Sequence, residues 1–208
     1  VRSLNLASSV AVALFEAVRQ NSKAGSPSVF SFQFSVFSGG AIRTANRYSS
    51  LSPEPRAKRV EGLRMPNFKR EKLESFAVAL LAAGGATPEE AARVGGSLVN
   101  ANLCGYDSHG VMRIPYYIKA VSDGSVQPNA ALTVLSESAT HLVCDANWGF
   151  GQVQAGRLLE RLIEKVQVSG MAVGTLQHSG HIGRLGEYCE AAAAEQLVSM
   201  LMVNSHGS

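Results

Sequence analysis

From Pro66 onward the apolar positions fall into regular periods. Leu73, Phe76, Ala77, Leu80 and Leu81 recur at i, i+3, i+4, i+7 and i+8, which predicts a helix with one apolar face. Asn67 is its candidate N-cap, and Gly84-Gly85 is its stop. Thr87-Pro88-Glu89-Glu90 is a second start signal: Thr as cap, Pro at the first helical position, and Glu90 placed to close a capping box. Ala91, Val94, Leu98 and Val99 form the stripe that follows. With so short a joint the two helices must run nearly antiparallel. A third helix is expected over residues 114–121, ended by Asp123-Gly124.

Then the period shortens. Residues 132–136 and 141–145 are β-compatible runs around a polar turn, which predicts a hairpin. A helix over 153–166 follows, with Leu159, Leu162, Ile163 and Val166 on one face. Then come a strand over 171–176, a helix over 185–194 and a buried strand over 198–203. This order divides the body into a helical part, 65–130, and a sheet part, 131–208. With the sequence ending at Ser208, the sheet is expected to stop unfinished, with an unpaired edge at Val203. The chain has no internal repeat.

The first 64 residues have another texture. They hold twelve Ser, five of the eight Phe, nine Lys/Arg, three Glu and no Asp. Arg- and Ser-rich, acid-poor composition is that of an organelle transit peptide, and Arg47-Tyr48-Ser49-Ser50 resembles a mitochondrial processing site. Residues 6–19 are expected to form a short helix with a basic tail. The leader, 1–64, is therefore read as a transit peptide giving a mitochondrial protein. The alternative is a disordered arm on a cytoplasmic one. A secretory signal fits less well, because Glu16 interrupts the apolar run.

Charge follows the same division. The net +3 is the sum of a leader at +6 and a body at −3, so the body carries no electrostatic footprint for nucleic acid. Cys104, Cys144 and Cys189 are an odd number, far apart and without a C-x-x-C pair, which fits a reducing compartment. No apolar run reaches the roughly 18 residues of a membrane span.

Two polar clusters could carry chemistry. Asp107-Ser108-His109-Gly110-Val111-Met112-Arg113 lies between the second and third helices. An imidazole can give a proton to a carbonyl oxygen near neutral pH, and a guanidinium can hold a carboxylate by two parallel hydrogen bonds. A 2-oxo acid presents both groups on adjacent carbons. The same residues serve as well for a helix start, with Asp107 or Ser108 as cap and His109 in the turn. The second cluster, His178-Ser179-Gly180-His181-Ile182-Gly183-Arg184-Leu185-Gly186, joins a strand to a helix, where glycines and a helix N-terminus favour an anion such as a pyrophosphate. Neither is a dinucleotide fingerprint, and Gly149-Phe150-Gly151 has Gln154 where the third glycine belongs. His178, His181 and His206 have no carboxylate or cysteine at ligand spacing, so no metal is expected. Asp107, Ser108 and His109 are adjacent and cannot form a hydrolase relay, and G-x-S-x-G is missing.

The strings are more specific than the spacings. NLCGYDSHGVMRIPYY (Asn102 to Tyr117) resembles the opening motif of the malate/L-lactate dehydrogenase superfamily, which includes ureidoglycolate, sulfolactate and diketogulonate dehydrogenases. DANWGFG (Asp145 to Gly151), HSGHIGRLGEY (His178 to Tyr188) and Val203-Asn204-Ser205 resemble three further motifs in the same order. The resemblance covers about residues 66–208. It implies an α+β fold: an N-terminal helical, dimer-forming domain, then part of a largely antiparallel, non-Rossmann NAD(P)-binding sheet domain whose C-terminal half is missing. It also implies a homodimer that uses NAD or NADP to interconvert a small 2-oxo acid and its 2-hydroxy acid, cyclic imine reduction being a same-chemistry variant. Carried over by position, His109 is the acid/base on the substrate carbonyl and Arg113 the carboxylate anchor, with Ser108 in the substrate lining. His181 lies near the nicotinamide and is a further catalytic acid, with Ser179 and Gly183 in the cofactor lining. His178 stands where the family commonly has Asn. The alternative from another class is a truncated, non-catalytic product that keeps only the helical dimerisation module.

Overall fold

The computed structural model describes residues 67–204 and, as backbone, the two earlier strands β1 (Val10–Glu16) and β2 (Phe32–Gln33). The segment around Arg47-Tyr48-Ser49-Ser50 and residues Ser205 and His206 lie outside the described residues.

The helical opening consists of α1 (Arg70–Ala83), α2 (Pro88–Leu103) and α3 (Ile114–Ser122). Helix α1 begins after Lys69 with no side-chain cap, and Asn67 lies outside it. The capping box of α2 is present: Thr87 Oγ1 accepts from the Glu90 backbone N–H (3.2 Å), and Glu90 Oε2 accepts from the Thr87 N–H (3.0 Å). The other carboxylate oxygen of buried Glu90 accepts from the Asn129 N–H at 2.8 Å, so this side chain also ties down the approach to the sheet. Phe76, expected on the buried face of α1, is exposed, whereas Ala77 and Leu81 are buried. It lines an apolar groove with Leu73, Leu80, Met112, Pro115 and Ile118.

The hairpin forms as β3 (Thr133–Glu137) and β4 (His141–Asp145), followed by α4 (Gly151–Ser169), β5 (Met171–Gln177), α5 (Gly186–Ala194) and β6 (Leu197–Val203). The result is α+β, with a mixed sheet of order β2-β6-β1-β5-β4-β3. Pairs β1–β5, β1–β6 and β3–β4 are antiparallel, and β4–β5 and β2–β6 are parallel.

Two expectations are corrected here. Residues 10–16 form a strand, so a helix over 6–19 does not describe them. A short apolar run such as Val10-Ala11-Val12-Ala13-Leu14-Phe15 is compatible with either period. Pairing with β5 on one side and β6 on the other satisfies the backbone groups that point to both of its edges. Strand β6 is likewise not the outermost strand: β1 pairs along its length, including Val10 with Val203, and β2 pairs with Met200 and Leu201 on the other side.

One hydrophobic core gathers Leu142, Leu158, Leu162, Leu176, Tyr188 and Leu201 between the sheet, α4 and α5. A Cβ on Gly174 would lie 2.6 Å from a Leu162 methyl, so glycine lets α4 approach β5 closely. A second core gathers Leu81, Val94, Leu98, Ile114 and Tyr117 with Phe150 and Val153. Helix α4 thus contributes to both cores, and the candidate chemistry lies where they meet.

Candidate functional site

The first cluster folds as two short 3-10 turns, Asp107–His109 and Val111–Arg113, between α2 and α3. Asn102 holds them in place. Its Nδ2 donates to Asp107 Oδ1 (2.6 Å) and its Oδ1 accepts from the Val111 N–H (2.9 Å). A Cβ on Gly110 would fall 2.2 Å from that Oδ1, so the glycine is what admits the clamp. Arg113 Nε donates to the Ser108 carbonyl (2.6 Å), and His109 Nδ1 is 3.0 Å from Ser108 Oγ.

The second cluster follows β5 and is joined to the loop that carries Asp145 to Phe150. The Trp148 N–H donates to the His178 carbonyl (2.7 Å), and the Gly180 N–H to that of Gly149 (3.3 Å). A Cβ on Gly151 would meet the Gly180 carbonyl at 2.3 Å, so glycine at this position is what lets the two loops touch. Asn147, Trp148 and His178 have positive φ (48°, 58° and 49°). That conformation is uncommon outside glycine and enriched for Asn, Asp and His, which is a physical reason for Asn and His to share position 178. His178 Nδ1 is 2.7 Å from Asp145 Oδ2, and its ring leans on Trp148 at 5.2 Å. Burial raises the Asp145 pKa, but hydrogen bonds from His178, the Asn147 N–H and Gln177 outweigh it and hold the carboxyl below the usual range.

The loops bring His109 and His181 together. Their rings stack with centroids 5.5 Å apart and planes 29° off parallel. Both line a cavity of about 560 Å³ with Tyr116, Trp148, Ser179, Gly183 and Asn204. Arg113 and Ser108 are not in that lining. The Arg113 cation nevertheless acts on both rings. Burial first, then Arg113, pushes His109 below the ordinary histidine value. Burial, then Arg113 and His109, pushes His181 down to about 4. A neutral histidine pair beside a guanidinium can donate hydrogen bonds, accept a proton and attract a carboxylate. Among the described residues no group of three or more His, Cys, Asp or Glu is arranged to hold a metal ion.

Behind His181 lie two residues that sequence reasoning did not single out. Tyr117 Oη is 2.8 Å from His181 Nδ1, and Gln152 Nε2 donates to Tyr117 Oη at 2.6 Å. Burial pushes the Tyr117 hydroxyl well above the ordinary tyrosine value. The available signal was weak: a glutamine in the first turn of an apolar helix, which only its complete burial marks as unusual.

The residues that build this site also carry the likeness to known proteins. Residues 68–208 match the family model described as malate/L-lactate dehydrogenase. Hydroxycarboxylate dehydrogenase B of Escherichia coli O157:H7 is 36% identical over 140 residues, which are 67% of this chain and 39% of that protein. L-lactate dehydrogenase of Cupriavidus necator is 36% identical over 107 residues, 51% of this chain and 31% of that protein. The solved malate dehydrogenase of Pyrococcus horikoshii OT3 superposes with a TM-score of 0.59 at 32% identity, covering 61% of this chain and 36% of that one. The chain therefore spans well under half the length of these relatives, and by the match over residues 68–208 it belongs to the malate/L-lactate dehydrogenase family.

Proposed function

We propose that this protein interconverts a small 2-oxo acid and its 2-hydroxy acid by hydride transfer with NAD(P)H. The observation that carries this reading is the meeting of His109, from the loop after α2, with His181, from the loop after β5, on one cavity beside the Arg113 cation. Arg113 attracts the substrate carboxylate, which sets the carbonyl oxygen toward the histidine pair. Binding that carboxylate offsets the charge that holds the His109 pKa down, so the anion itself promotes protonation of the ring. NAD(P)H, when bound, supplies a hydride, two electrons with one proton, to C2. His109 gives a second proton to the carbonyl oxygen and is left neutral, and a 2-hydroxy acid results.

The cavity suits the nicotinamide end of such a cofactor. Its volume is within the range of small-molecule sites. Trp148, Ile182, Leu185 and Val203 offer apolar walls for a flat ring, and Ser179 and Asn204 offer polar groups for a carboxamide. Among its described lining residues there is no Lys or Arg to meet a pyrophosphate.

The test is NADH and NADPH oxidation by the natural protein with pyruvate, oxaloacetate, sulfopyruvate and a cyclic imino acid. Turnover of a 2-oxo acid that needs the free carboxylate, and is lost with its amide, supports the reading. Turnover of the cyclic imino acid alone would move the assignment to imine reduction, and no turnover with any of them would overturn it.

A further inference from the structure

His181 has two partners at a single ring nitrogen. Nδ1 lies 2.8 Å from the Tyr117 hydroxyl and 3.3 Å from the Gly183 backbone nitrogen. A hydroxyl can donate or accept, so the first contact alone leaves the tautomer open. A backbone N–H can only donate, so Nδ1 must present its lone pair and the ring proton must sit on Nε2. Tyr117 then donates to Nδ1, and its oxygen is free to accept from Gln152 Nε2 at 2.6 Å. Every hydrogen in this chain points one way, from Gln152 to Tyr117 to His181. The reverse polarity would turn an Nδ1–H against the Gly183 N–H.

The surroundings hold this arrangement rigidly. Gln152 and Tyr117 are buried, one at the start of α4 and the other in α3. Gly183 has φ of +80°, and a Cβ there would come within 3.3 Å of the Gln152 side chain, so a larger residue would disturb both donors. Burial keeps the proton on the Tyr117 hydroxyl and keeps the His181 ring neutral. The ring itself lines the cavity, and among the described residues its other nitrogen has no hydrogen-bond partner.

We propose that Tyr117 and Gln152 are positioning residues that, with the Gly183 N–H, lock His181 as the Nε2–H tautomer. His181 then serves as a fixed hydrogen-bond donor to the substrate oxygen, and His109 alone delivers the proton. The catalytic half of this inference rests on the proposed 2-oxo-acid reduction; the tautomer does not. A neutral imidazole N–H is a poor acid but a good donor toward an oxygen that gains negative charge as hydride arrives at C2. Of two stacked histidines, one is thus held at constant protonation while the other cycles.

Nitrogen NMR of the natural protein carrying ¹⁵N-histidine tests this directly, with His181 assigned from the spectrum of His181→Gln. At neutral pH His181 should show a pyrrole-type Nε2 and a pyridine-type Nδ1. Tyr117→Phe removes the shorter of the two contacts and leaves only the 3.3 Å Gly183 N–H to hold the ring, so some Nδ1–H form should appear and kcat should fall by about tenfold or more, with KM nearly unchanged. A proton on Nδ1 in the unmodified protein would overturn the proposal. So would a folded Tyr117→Phe variant with the same tautomer and the same kcat. If the tautomer and its dependence on Tyr117 are as expected but no 2-oxo acid is reduced, the proposed function fails and the positioning of His181 stands.

Discussion

Burial and the Arg113 cation hold His181 neutral down to about pH 4, whereas an unfolded chain takes up that proton near 6.5. Between those values the unfolded state binds more protons, so stability should fall as pH drops from about 6.5 toward 4. The loss is on the order of 3 kcal/mol from this ring. Urea unfolding at pH 7 and pH 4.5 should show it, and His181→Gln should flatten the slope. An equal slope in the variant would place the acid sensitivity elsewhere. His109→Ala should lower kcat by roughly a hundredfold or more if it supplies the carbonyl proton; near-normal kcat across pH would remove that role. Arg113→Lys replaces a fork by a point charge, so KM for the 2-oxo acid should rise while cofactor affinity holds. Equal losses for both would make Arg113 structural. His109, Arg113 and His181 were legible because they stand in contiguous strings. Tyr117 was quoted inside such a string but given no role, and Gln152 was silent, because a polar residue buried for one hydrogen bond leaves no periodic trace.

The loop that carries His109 and Arg113 is held by Asn102 against the bare Cα of Gly110. In Gly110→Ala the new methyl must expel the Asn102 amide, releasing Asp107 and the Val111 N–H together. Activity should fall about tenfold or more through misplaced His109 and Arg113. Gly156, inside α4, is the contrast: its Cβ would meet nothing closer than Arg93 at 3.5 Å. Gly156→Ala should therefore stabilise by about 0.5–1 kcal/mol. Thermal melts and kinetics on the two variants separate the effects, and a fully active Gly110→Ala protein would show that the clamp does not position the loop. Elements with strong local signals were readable: the capping box of α2, the β3–β4 hairpin and the stripe of α4 all form. Phe76 was misplaced because period alone cannot say whether a neighbour covers the face. Strand β1 was misread because its partners lie far along the chain.

At the scale of the whole molecule, the start of the chain has two incompatible uses. Composition points to an import signal cut near Ser49; the sheet uses residues 10–16 as an interior strand. If β1 is integral, deleting residues 1–48 exposes facing edges on β5 and β6 and should lower the melting temperature and promote aggregation. Unchanged stability, together with a mature N-terminus at Ser49, would favour import. The placement of β1 also sets an order of events during synthesis. Val10 leaves the ribosome long before Leu176 and Val203, the residues it pairs with. Helices α1 to α3 have their partners close by in sequence and can associate early, while the middle of the sheet must wait for loops that span most of the chain to close. Until then β1 is an uncommitted apolar segment in a nascent chain, a natural client for a chaperone.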